Sequence, residues 1–352
     1  MSGVSVIIPV FNAEPFLREC LDSLRAQSFS DWEAFCIDDG STDASGEILR
    51  EYAKNDPRFV VTTKENSGYG ATVNLGIRRS RAKYVAILEP DDKLVPDVYD
   101  KLFRAAEEND ADVVKGDYNF FWSDGRRERA CALRSCPCGS VICAEKERGL
   151  FSVPLSVWSA FYRREFLLDR DVFFNETPGA SFQDNAFSFK LFAAAQRVFL
   201  VDFPVVDYRQ DNPGSSIKSK EKTFCMADEI HEIERWLAAR PELARKFRYD
   251  FFLFKYKAYF GNLLRTPRER QGDFLALFSR EFREARERKE LPEELFSRLK
   301  KRLPLLLDAP EKFLRYARLQ SSFDAFKRTK RNIFSFRRSR AGWKITLCGK
   351  TF

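Results

Sequence analysis

The first hundred residues alternate between strand and helix patterns, and this alternation limits the possible folds more than any other feature of the chain. Apolar, β-branched runs predict strands at residues 4–10, 32–37, 59–62 and 84–88, with helically spaced apolar residues between them. Parallel strands need long crossover connections, and helices supply them. The sequence therefore predicts a β-α-β-α-β-α-β half-domain built on a parallel sheet.

Beyond this half-domain the pattern changes twice. A predicted helix at Val98–Glu108 leads into a segment with short strands at residues 198–201 and 205–208 and a helix at 187–195. After Lys222 the pattern is one of charged amphipathic helices. We therefore expect four divisions, namely residues 1–100, 101–220, 221–320 and 321–352.

Length and composition indicate a globular protein of more than one packed unit. The chain has 352 residues, which is too long for one compact core, and its hydrophobic content of 44% is typical of a globular protein. The N-terminus passes directly into a strand pattern, and no apolar run reaches membrane-spanning length. We expect a cytoplasmic protein whose eight cysteines are reduced thiols.

The net charge of +8 is concentrated in the last 32 residues, 321–352, which contain nine Lys or Arg and one acidic residue. Five aromatic residues are interleaved with these charges. The pattern suits an anionic membrane surface, with aromatics in the interface and bases on the headgroups. A nucleic acid or a solvated tail would fit the same pattern.

Two further groups have weak signals for chemistry. Cys131, Cys136, Cys138 and Cys143 lie close together, but their spacing fits a zinc site poorly, and incidental thiols are the stronger interpretation. The sole histidine, His231, falls within a helical pattern, which favours a packed or solvated role over a catalytic one.

Two Asp-Asp pairs, Asp38-Asp39 and Asp91-Asp92, each follow a predicted strand. In open α/β sheets, ligands bind outside the carboxyl ends of the strands, so both pairs are expected at one crevice. Adjacent carboxylates there suit a cation, a sugar hydroxyl or a base N–H. Ordinary turn aspartates are the alternative interpretation.

Several motifs, taken in order, carry a resemblance to a known family. They are Val6-Ile7-Ile8-Pro9-Val10-Phe11-Asn12, Ile37-Asp38-Asp39-Gly40-Ser41-Thr42-Asp43, Asn66 to Gly76, Leu88-Glu89-Pro90-Asp91-Asp92, Trp158 to Arg164, Ser181 to Asn185, and Tyr208-Arg209-Gln210. Together they resemble family 2 glycosyltransferases of the GT-A fold, of the bacterial surface-polysaccharide type, over residues 4–218. The resemblance implies a Rossmann-like mixed sheet flanked by helices, followed by a mainly α-helical C-terminal region. It makes residues 1–100 the nucleotide-sugar-binding half and residues 101–220 the acceptor-side, catalytic half.

The resemblance also implies a donor site in the first half. A carboxylate at a strand end can accept the uracil N–H, and Asp39 is the candidate. Pro9, Phe11 and Asn12 would line the base and ribose pocket, with Asn74 and Asp91 as further donor contacts. Ser41 and Thr42 are better interpreted as helix or turn caps.

A divalent cation is implied at the second pair. Asp92 is the expected ligand of Mg²⁺ or Mn²⁺, with Asp91 as a second ligand near the ribose, because hard oxygen ligands suit these ions. Such an ion neutralises charge on the diphosphate leaving group. Glu89 and Pro90 stand where family members commonly carry the first residues of an Asp-x-Asp signature, which leaves a ligand role for Glu89 open.

Asp184 is implied as the general base for inverting transfer, taking the proton of the acceptor hydroxyl. A helix N-cap is the alternative role, and the two are compatible. Gln183 stands before it where the family usually has an acidic residue. Arg209, with Lys218 and Lys220, would border a loop that closes over the donor phosphates, although a solvated basic loop is nearly as good an interpretation.

A nicotinamide cofactor is not expected, because Gly68-Tyr69-Gly70-Ala71-Thr72-Val73 lacks the third glycine of a dinucleotide fingerprint and follows the third strand. The resemblance thus implies an inverting transferase that moves a sugar from a UDP-linked donor to a hydroxyl of a polysaccharide or lipid-linked acceptor, in a cytoplasmic protein that is peripheral on the inner face of the membrane. A non-catalytic nucleotide-sugar-binding scaffold and a basic nucleic-acid-binding protein are the alternatives, and the second leaves the carboxylates unexplained.

Overall fold

The computed structural model describes residues 3–134, 136–214 and 222–320, together with the backbone of three strands between residues 334 and 351. The chain forms two compact units, Met1–Asp250 and Phe251–Phe352. The first unit extends past the boundary expected near residue 220, because helix α7 (Cys225–Ala238) buries its apolar face within that unit. The assignment of functions to the four divisions stays a prediction.

The alternating first half forms as expected. Its elements are β1 (Val4–Val10), α1 (Glu14–Arg25), β2 (Trp32–Asp38), α2 (Ser45–Asn55), β3 (Phe59–Thr63), α3 (Tyr69–Arg79) and β4 (Tyr84–Ile87). Strand β1 lies parallel to β2 and β4, and β2 lies parallel to β3. All seven residues of β1 are buried, as expected for a strand covered on both faces.

The second half completes a mixed sheet. Its elements are β5 (Lys93–Leu94), α4 (Val98–Glu108), β6 (Val113–Phe121), β7 (Arg127–Arg129), β8 (Val141–Ile142), β9 (Ala160–Arg163), α5 (Arg164–Asp169), α6 (Asp184–Ala194) and β10 (Val198–Arg209). The strand order is β3-β2-β1-β4-β9-β6-β10-β5, and β9 is antiparallel to both of its neighbours. The expected mixed sheet flanked by helices is confirmed.

Two boundaries differ from the sequence prediction. The strands expected at 198–201 and 205–208 form one strand, β10, whose register against β6 shifts on both sides of Pro204. Proline lacks the N–H that a ladder needs, so the strand bulges there without ending. Helix α6 begins at Asp184, earlier than Phe187, because its first turn is polar and the apolar pattern starts later.

The remaining helices follow in close succession. They are α8 (Pro241–Lys246), α9 (Arg248–Arg265), α10 (Gln271–Glu287), α11 (Glu293–Leu299), α12 (Arg302–Asp308) and a helical segment over residues 310–320. In the second unit, the rings of Phe278 and Phe282 lie fully buried. None of the described helices is both long and apolar enough to cross a membrane.

The basic tail is described only as backbone. Strands β11 (Phe334–Ser339), β12 (Gly342–Leu347) and β13 (Lys350–Thr351) form an antiparallel sheet. The expectation that side chains of residues 321–352 meet a membrane therefore falls outside the described residues. Lys218 and Lys220 also lie outside them.

Candidate active site

The carboxyl end of β1 carries three of the predicted donor-binding residues. Pro9 is buried in the strand, whereas the Phe11 side chain is 51% exposed just beyond it. Asn12 adopts a φ of 50°, and its Oδ1 accepts a hydrogen bond from the Thr42 N–H at 2.8 Å. Phe11 thus presents an open aromatic surface at the strand end, and Asn12 holds the neighbouring turn.

The first aspartate pair follows β2, beside the end of β1. Asp38 is buried, and its Oδ1 accepts the Ser41 N–H at 2.9 Å, which fixes the turn before α2. Ser41 belongs to that turn, in keeping with a capping role. Asp38 therefore acts on the local turn, while Asp39 faces the next loop.

Both carboxylate oxygens of Asp39 have protein partners. Oδ1 accepts from the Lys64 ammonium group and from the Ser67 N–H at 2.9 Å, and Oδ2 accepts from the Gly68 N–H at 3.0 Å. A carboxylate offers about four acceptor positions, so one position on Oδ2 remains for a base N–H. The side chain is only 4% exposed, and its main structural role is to hold the loop that precedes α3.

The glycines around Tyr69 allow another segment to pack closely on the start of α3. A Cβ atom on Gly70 would lie 2.1 Å from the carbonyl oxygen of Asn175, and one on Gly68 would lie 2.7 Å from that of Thr177. The Tyr69 N–H donates to the Gly179 carbonyl at 3.0 Å. These glycines therefore allow the backbone of residues 175–179 to pack against the start of α3.

Asn74 extends this contact along α3. Its amide nitrogen donates to the Phe174 carbonyl and to Glu176 Oε1, both at 2.9 Å, and its Oδ1 accepts the Phe174 N–H at 2.9 Å. The side chain is completely buried. Its donor contact stays a prediction, and the observed contacts join α3 to residues 174–176.

The second aspartate pair follows β4 and differs from the first. Asp92 is 2% exposed; its Oδ1 accepts the Arg209 N–H at 2.8 Å, but its Oδ2 is buried without a hydrogen-bond partner among the described residues. Burial raises the pKa of Asp92, and the charge of Asp91 adds to this effect. Asp91 is less buried, and its Oδ2 accepts from the Asn212 amide at 2.8 Å.

Arg209 is bound to this turn and to its neighbours. Its Nε donates to the Asp91 carbonyl at 2.8 Å, its Nη1 donates to Ser123 Oγ at 2.8 Å, and its Nη2 donates to Glu19. The residue is 5% exposed. These contacts assign Arg209 to positioning the second aspartate pair; a direct donor contact stays a prediction.

Glu89 connects the second pair to Tyr69 and Asp184. The Tyr69 hydroxyl donates to Glu89 Oε1 at 2.6 Å. Burial raises the pKa of Glu89, the charges of Asp91 and Asp184 add to this effect, and the Tyr69 hydrogen bond opposes it, so that the pKa is about 8. Asp184 therefore lies within electrostatic range of the acidic turn, although it is nearly a hundred residues away in sequence.

Asp184 is held by the start of α6. It is the first residue of that helix, where a negative charge is favoured by the helix dipole, and Gln183 occupies the N-cap position. The Gln183 side chain donates to Thr177 Oγ1 at 3.0 Å and to the Gly179 carbonyl at 3.1 Å. This network stabilises the loop before Asp184, so the neutral Gln183 has a structural role at this position.

The metal candidates are limited. Within the described ranges, no three His, Cys, Asp or Glu side chains gather closely enough to hold an ion by themselves. Cys131, Cys136, Cys138 and Cys143 form no disulfide in the described part of the chain. The unpartnered Asp92 Oδ2 is the atom that best fits a metal ligand, since a buried acceptor without a donor is rare.

The family assignment follows from a match along the sequence. The Glycosyl transferase family 2 pattern matches residues 5–185, which include β1, both aspartate pairs and Asp184. The chain belongs to glycosyl transferase family 2. The predicted family and enzyme class are thereby confirmed.

Relatives in this family are bacterial. The chain is 32% identical over 222 residues to the uncharacterized glycosyltransferase EpsJ of Bacillus subtilis, covering 60% of this chain and 62% of EpsJ. It is 30% identical over 241 residues to glycosyltransferase GlyG of Streptococcus pneumoniae, covering 65% of this chain and 77% of GlyG. The match to EpsJ thus spans about three fifths of that relative's length.

A solved structure confirms the fold over nearly the whole chain. Residues 1–349 of S. aureus TarS, crystallised with UDP-GlcNAc, superpose with a TM-score of 0.70 at 21% identity. The superposition covers 99% of this chain and 97% of TarS 1–349. The expected GT-A fold with a helical C-terminal region is confirmed.

Sequence reasoning missed three contributors to the site of this family 2 glycosyltransferase. Lys64 binds Asp39, Tyr69 binds Glu89, and Glu19 binds Arg209. Only Tyr69 gave a signal, as a large residue between two glycines. The other two are common residue types whose partners are distant in sequence.

An aromatic group beside the second aspartate pair was also missed. The rings of Trp158 and Tyr208 stack with centroids 4.9 Å apart, and Tyr118 packs edge-on against Trp158 at 4.8 Å. Burial raises the pKa of Tyr208, with the charges of Asp92 and Asp91 adding to it, so this ring lies near the acidic turn. The Trp158 indole N–H and the Tyr208 hydroxyl donate to no described residue, which leaves both polar tips for a ligand.

Proposed function

We propose that this protein is an inverting glycosyltransferase that moves a sugar from a UDP-linked donor to a hydroxyl of a polysaccharide or lipid-linked acceptor. The observation that carries the proposal is that Asp184 lies close enough to the Glu89–Asp92 turn for its charge to raise the pKa of Glu89. A base beside a turn suited to the leaving group is the arrangement that such a transfer needs. The UDP-GlcNAc complex of TarS, which shares the fold, supports a UDP-linked donor.

Asp184 acts as the base in this proposal. It takes the proton from the acceptor hydroxyl while that oxygen forms a bond to the anomeric carbon and the bond from that carbon to the diphosphate breaks. Attack from the face opposite the diphosphate inverts the anomeric centre. Its position at the start of α6, where the helix dipole favours a negative charge, suits a proton acceptor.

Asp92 and Asp91 are the residues that would hold Mg²⁺ or Mn²⁺. The buried, unpartnered Oδ2 of Asp92 supports this assignment, as does the hard-oxygen character of both side chains. Because the described residues offer no set of three ligands, donor phosphate oxygens would complete the coordination. When bound, the ion supplies positive charge to the departing diphosphate.

The two ends of the site suit different parts of the substrates. At the carboxyl end of β1, Phe11 and the remaining acceptor position of Asp39 suit a flat base with an N–H. Trp158 and Tyr208 suit an acceptor sugar, because the C–H face of a sugar ring packs on aromatic surfaces while its hydroxyls meet the polar tips. Donor and acceptor would thus lie on opposite sides of the Glu89–Asp92 turn.

The decisive experiment measures hydrolysis of a panel of nucleotide sugars with and without Mn²⁺, in wild type and in Asp184→Asn. We expect UDP sugars to be hydrolysed with Mn²⁺, and the variant to lose about 10²–10⁴-fold in kcat while donor affinity stays within about threefold. Asp169→Asn, an exposed acid at the end of α5, is the matched control and should behave as wild type.

Metal-independent hydrolysis that survives in Asp184→Asn would refute this mechanism. Donor binding without turnover in the wild type would instead indicate a non-catalytic nucleotide-sugar-binding protein. Tight binding of nucleic acid that falls steeply with salt would indicate the third candidate, which the acidic site disfavours.

We further propose that residues 321–352 attach the protein to an anionic membrane, on the basis of their charge and aromatic content. Deleting them is expected to abolish sedimentation with anionic liposomes, because both attractive contributions are removed, while donor hydrolysis persists. Neutral liposomes provide the control. Unchanged sedimentation of the truncated protein would contradict the tail assignment.

A further inference from the structure

The helical unit contains a cavity that glycosyl transfer does not use. Its volume is about 800 Å³, within the usual range for a small-molecule site. Helix α9, the segment joining α11 to α12, and the helical segment 310–320 line it. Its floor is apolar and includes Leu253, Phe260 and Leu305.

Positive charge surrounds the mouth of this cavity. The lining includes five basic residues, Lys257, Arg298, Lys300, Lys301 and Arg302, and no acidic residue from the described part of the chain. Loss of hydration lowers the pKa of Lys257, and the nearby charge of Arg298 lowers it further. The repulsion among these basic side chains would be reduced when an anion binds between them.

Other basic residues of the same unit are neutralised within the protein. Arg286 pairs with Asp308 at 2.9 Å, and Arg288 pairs with Glu290 at 3.0 Å. By contrast, the described chain provides no acidic partner within ion-pair distance of Arg298, Lys300 or Lys301. The cavity is therefore a place in this unit where several basic side chains are left to meet an external anion.

Two local features also indicate a ligand. Tyr256 lines the cavity with a side chain that is 3% exposed, and no described residue hydrogen-bonds to its buried hydroxyl. Lys300 adopts φ 45° and ψ −120°, a conformation that is strained for a non-glycine residue. An unpaired buried hydroxyl and a strained basic turn are both typical of binding sites.

We propose that this cavity binds an anionic phospholipid, with the phosphate on the basic rim and an acyl chain on the apolar floor. A nucleic acid or a phosphate polymer would use the rim but leave the floor without a partner. The basic tail, residues 321–352, is a poor occupant because its charge has the same sign as the rim. The proposal is independent of glycosyl transfer.

The test measures binding of dihexanoyl phosphatidic acid, as monomers, to the full chain by calorimetry. We expect it to bind at least about tenfold more tightly than dihexanoyl phosphatidylcholine or inorganic phosphate. The double variant Lys300→Glu, Lys301→Glu should weaken binding by about tenfold or more. The matched control, Lys312→Glu with Arg315→Glu, changes the net charge equally at exposed positions outside the cavity and should stay within about twofold.

A second variant tests the floor without threatening the fold. Gly261 lines the cavity within α9, and a Cβ atom there would come no closer than 3.9 Å to its neighbours. Gly261→Leu should fill the cavity and weaken lipid binding about tenfold, while the melting temperature holds or rises because leucine favours helix. Donor hydrolysis should be unchanged in every variant.

Equal affinity for inorganic phosphate or a short polyphosphate would overturn the proposal, since the site would then recognise only charge. Lipid affinity unchanged in Gly261→Leu would also overturn it, since the chain would then bind elsewhere.

Discussion

The two Asp-Asp pairs occupy comparable positions after parallel strands, yet their second aspartates are in opposite situations. Asp39 has donors on both oxygens and holds a loop, whereas Asp92 has one buried oxygen with no described partner. The hydrogen bonds of the first pair are thus nearly complete within the protein, whereas the second pair keeps an oxygen that our proposal assigns to a cation. The two identical Asp-Asp motifs therefore predict that both pairs lie at the same edge of the sheet, but they do not predict that both pairs have the same role.

The largest expected effect is that of Asp92→Asn on turnover. The amide keeps an acceptor for the Arg209 N–H but removes the negative charge from the unpartnered side, so donor hydrolysis should fall about 10²–10³-fold. Stability should hold or increase, because a buried anionic group is removed. Steady-state kinetics at several Mn²⁺ concentrations and thermal melts measure both.

Asp117→Asn controls for the loss of a buried carboxylate elsewhere in the sheet. If Asp92→Asn lowers stability strongly but leaves turnover per folded molecule intact, the distinction between the two pairs is wrong.

A smaller effect is expected for Arg209→Lys. Lysine keeps the charge, but its single nitrogen cannot reach the three partners that the separate guanidinium nitrogens contact, so the turn that carries Asp91 and Asp92 should loosen. We expect about a tenfold loss of turnover and a higher Mn²⁺ requirement, with donor KM little changed. A rise in donor KM alone, at an unchanged Mn²⁺ requirement, would show instead that Arg209 contacts the donor.

The smallest effect on turnover is expected for Asp39→Asn. Its main consequence should be a loss of about 1–3 kcal/mol in unfolding free energy, because the Lys64 ammonium group and two backbone N–H groups lose a charged acceptor. Donor KM should rise about tenfold while kcat stays within about threefold. Chemical denaturation and donor titration test this, and a kcat loss matching that of Asp92→Asn would remove the contrast between the pairs.

Local pattern was sufficient to predict the first four strands. β1 and β4 are buried throughout and leave clear apolar runs, whereas the aromatic and β-branched residues of β2 and β3 mark these strands although β3 is partly exposed. It could not predict β9, whose four residues run antiparallel between β4 and β6, since that pairing depends on partners far away in sequence. The same limit applies to Arg209, whose contact with Glu19 spans 190 residues. Likewise, the difference between Asp91 and Asp92 is one of burial, which two adjacent identical letters do not reveal.

The close packing of α3 against residues 174–179 has a consequence for how such enzymes can be recombined. At Gly70 the carbonyl of Asn175 lies so close that no side chain would fit. Asn74 forms hydrogen bonds to the neighbouring Phe174 backbone. A chimaera that took residues 1–100 from one relative and the remainder from another would have to match shape and hydrogen bonding along this seam. Exchanging residues 1–100 alone is therefore not expected to transfer donor preference. We expect chimaeras to fold when α3 and residues 174–179 come from the same relative.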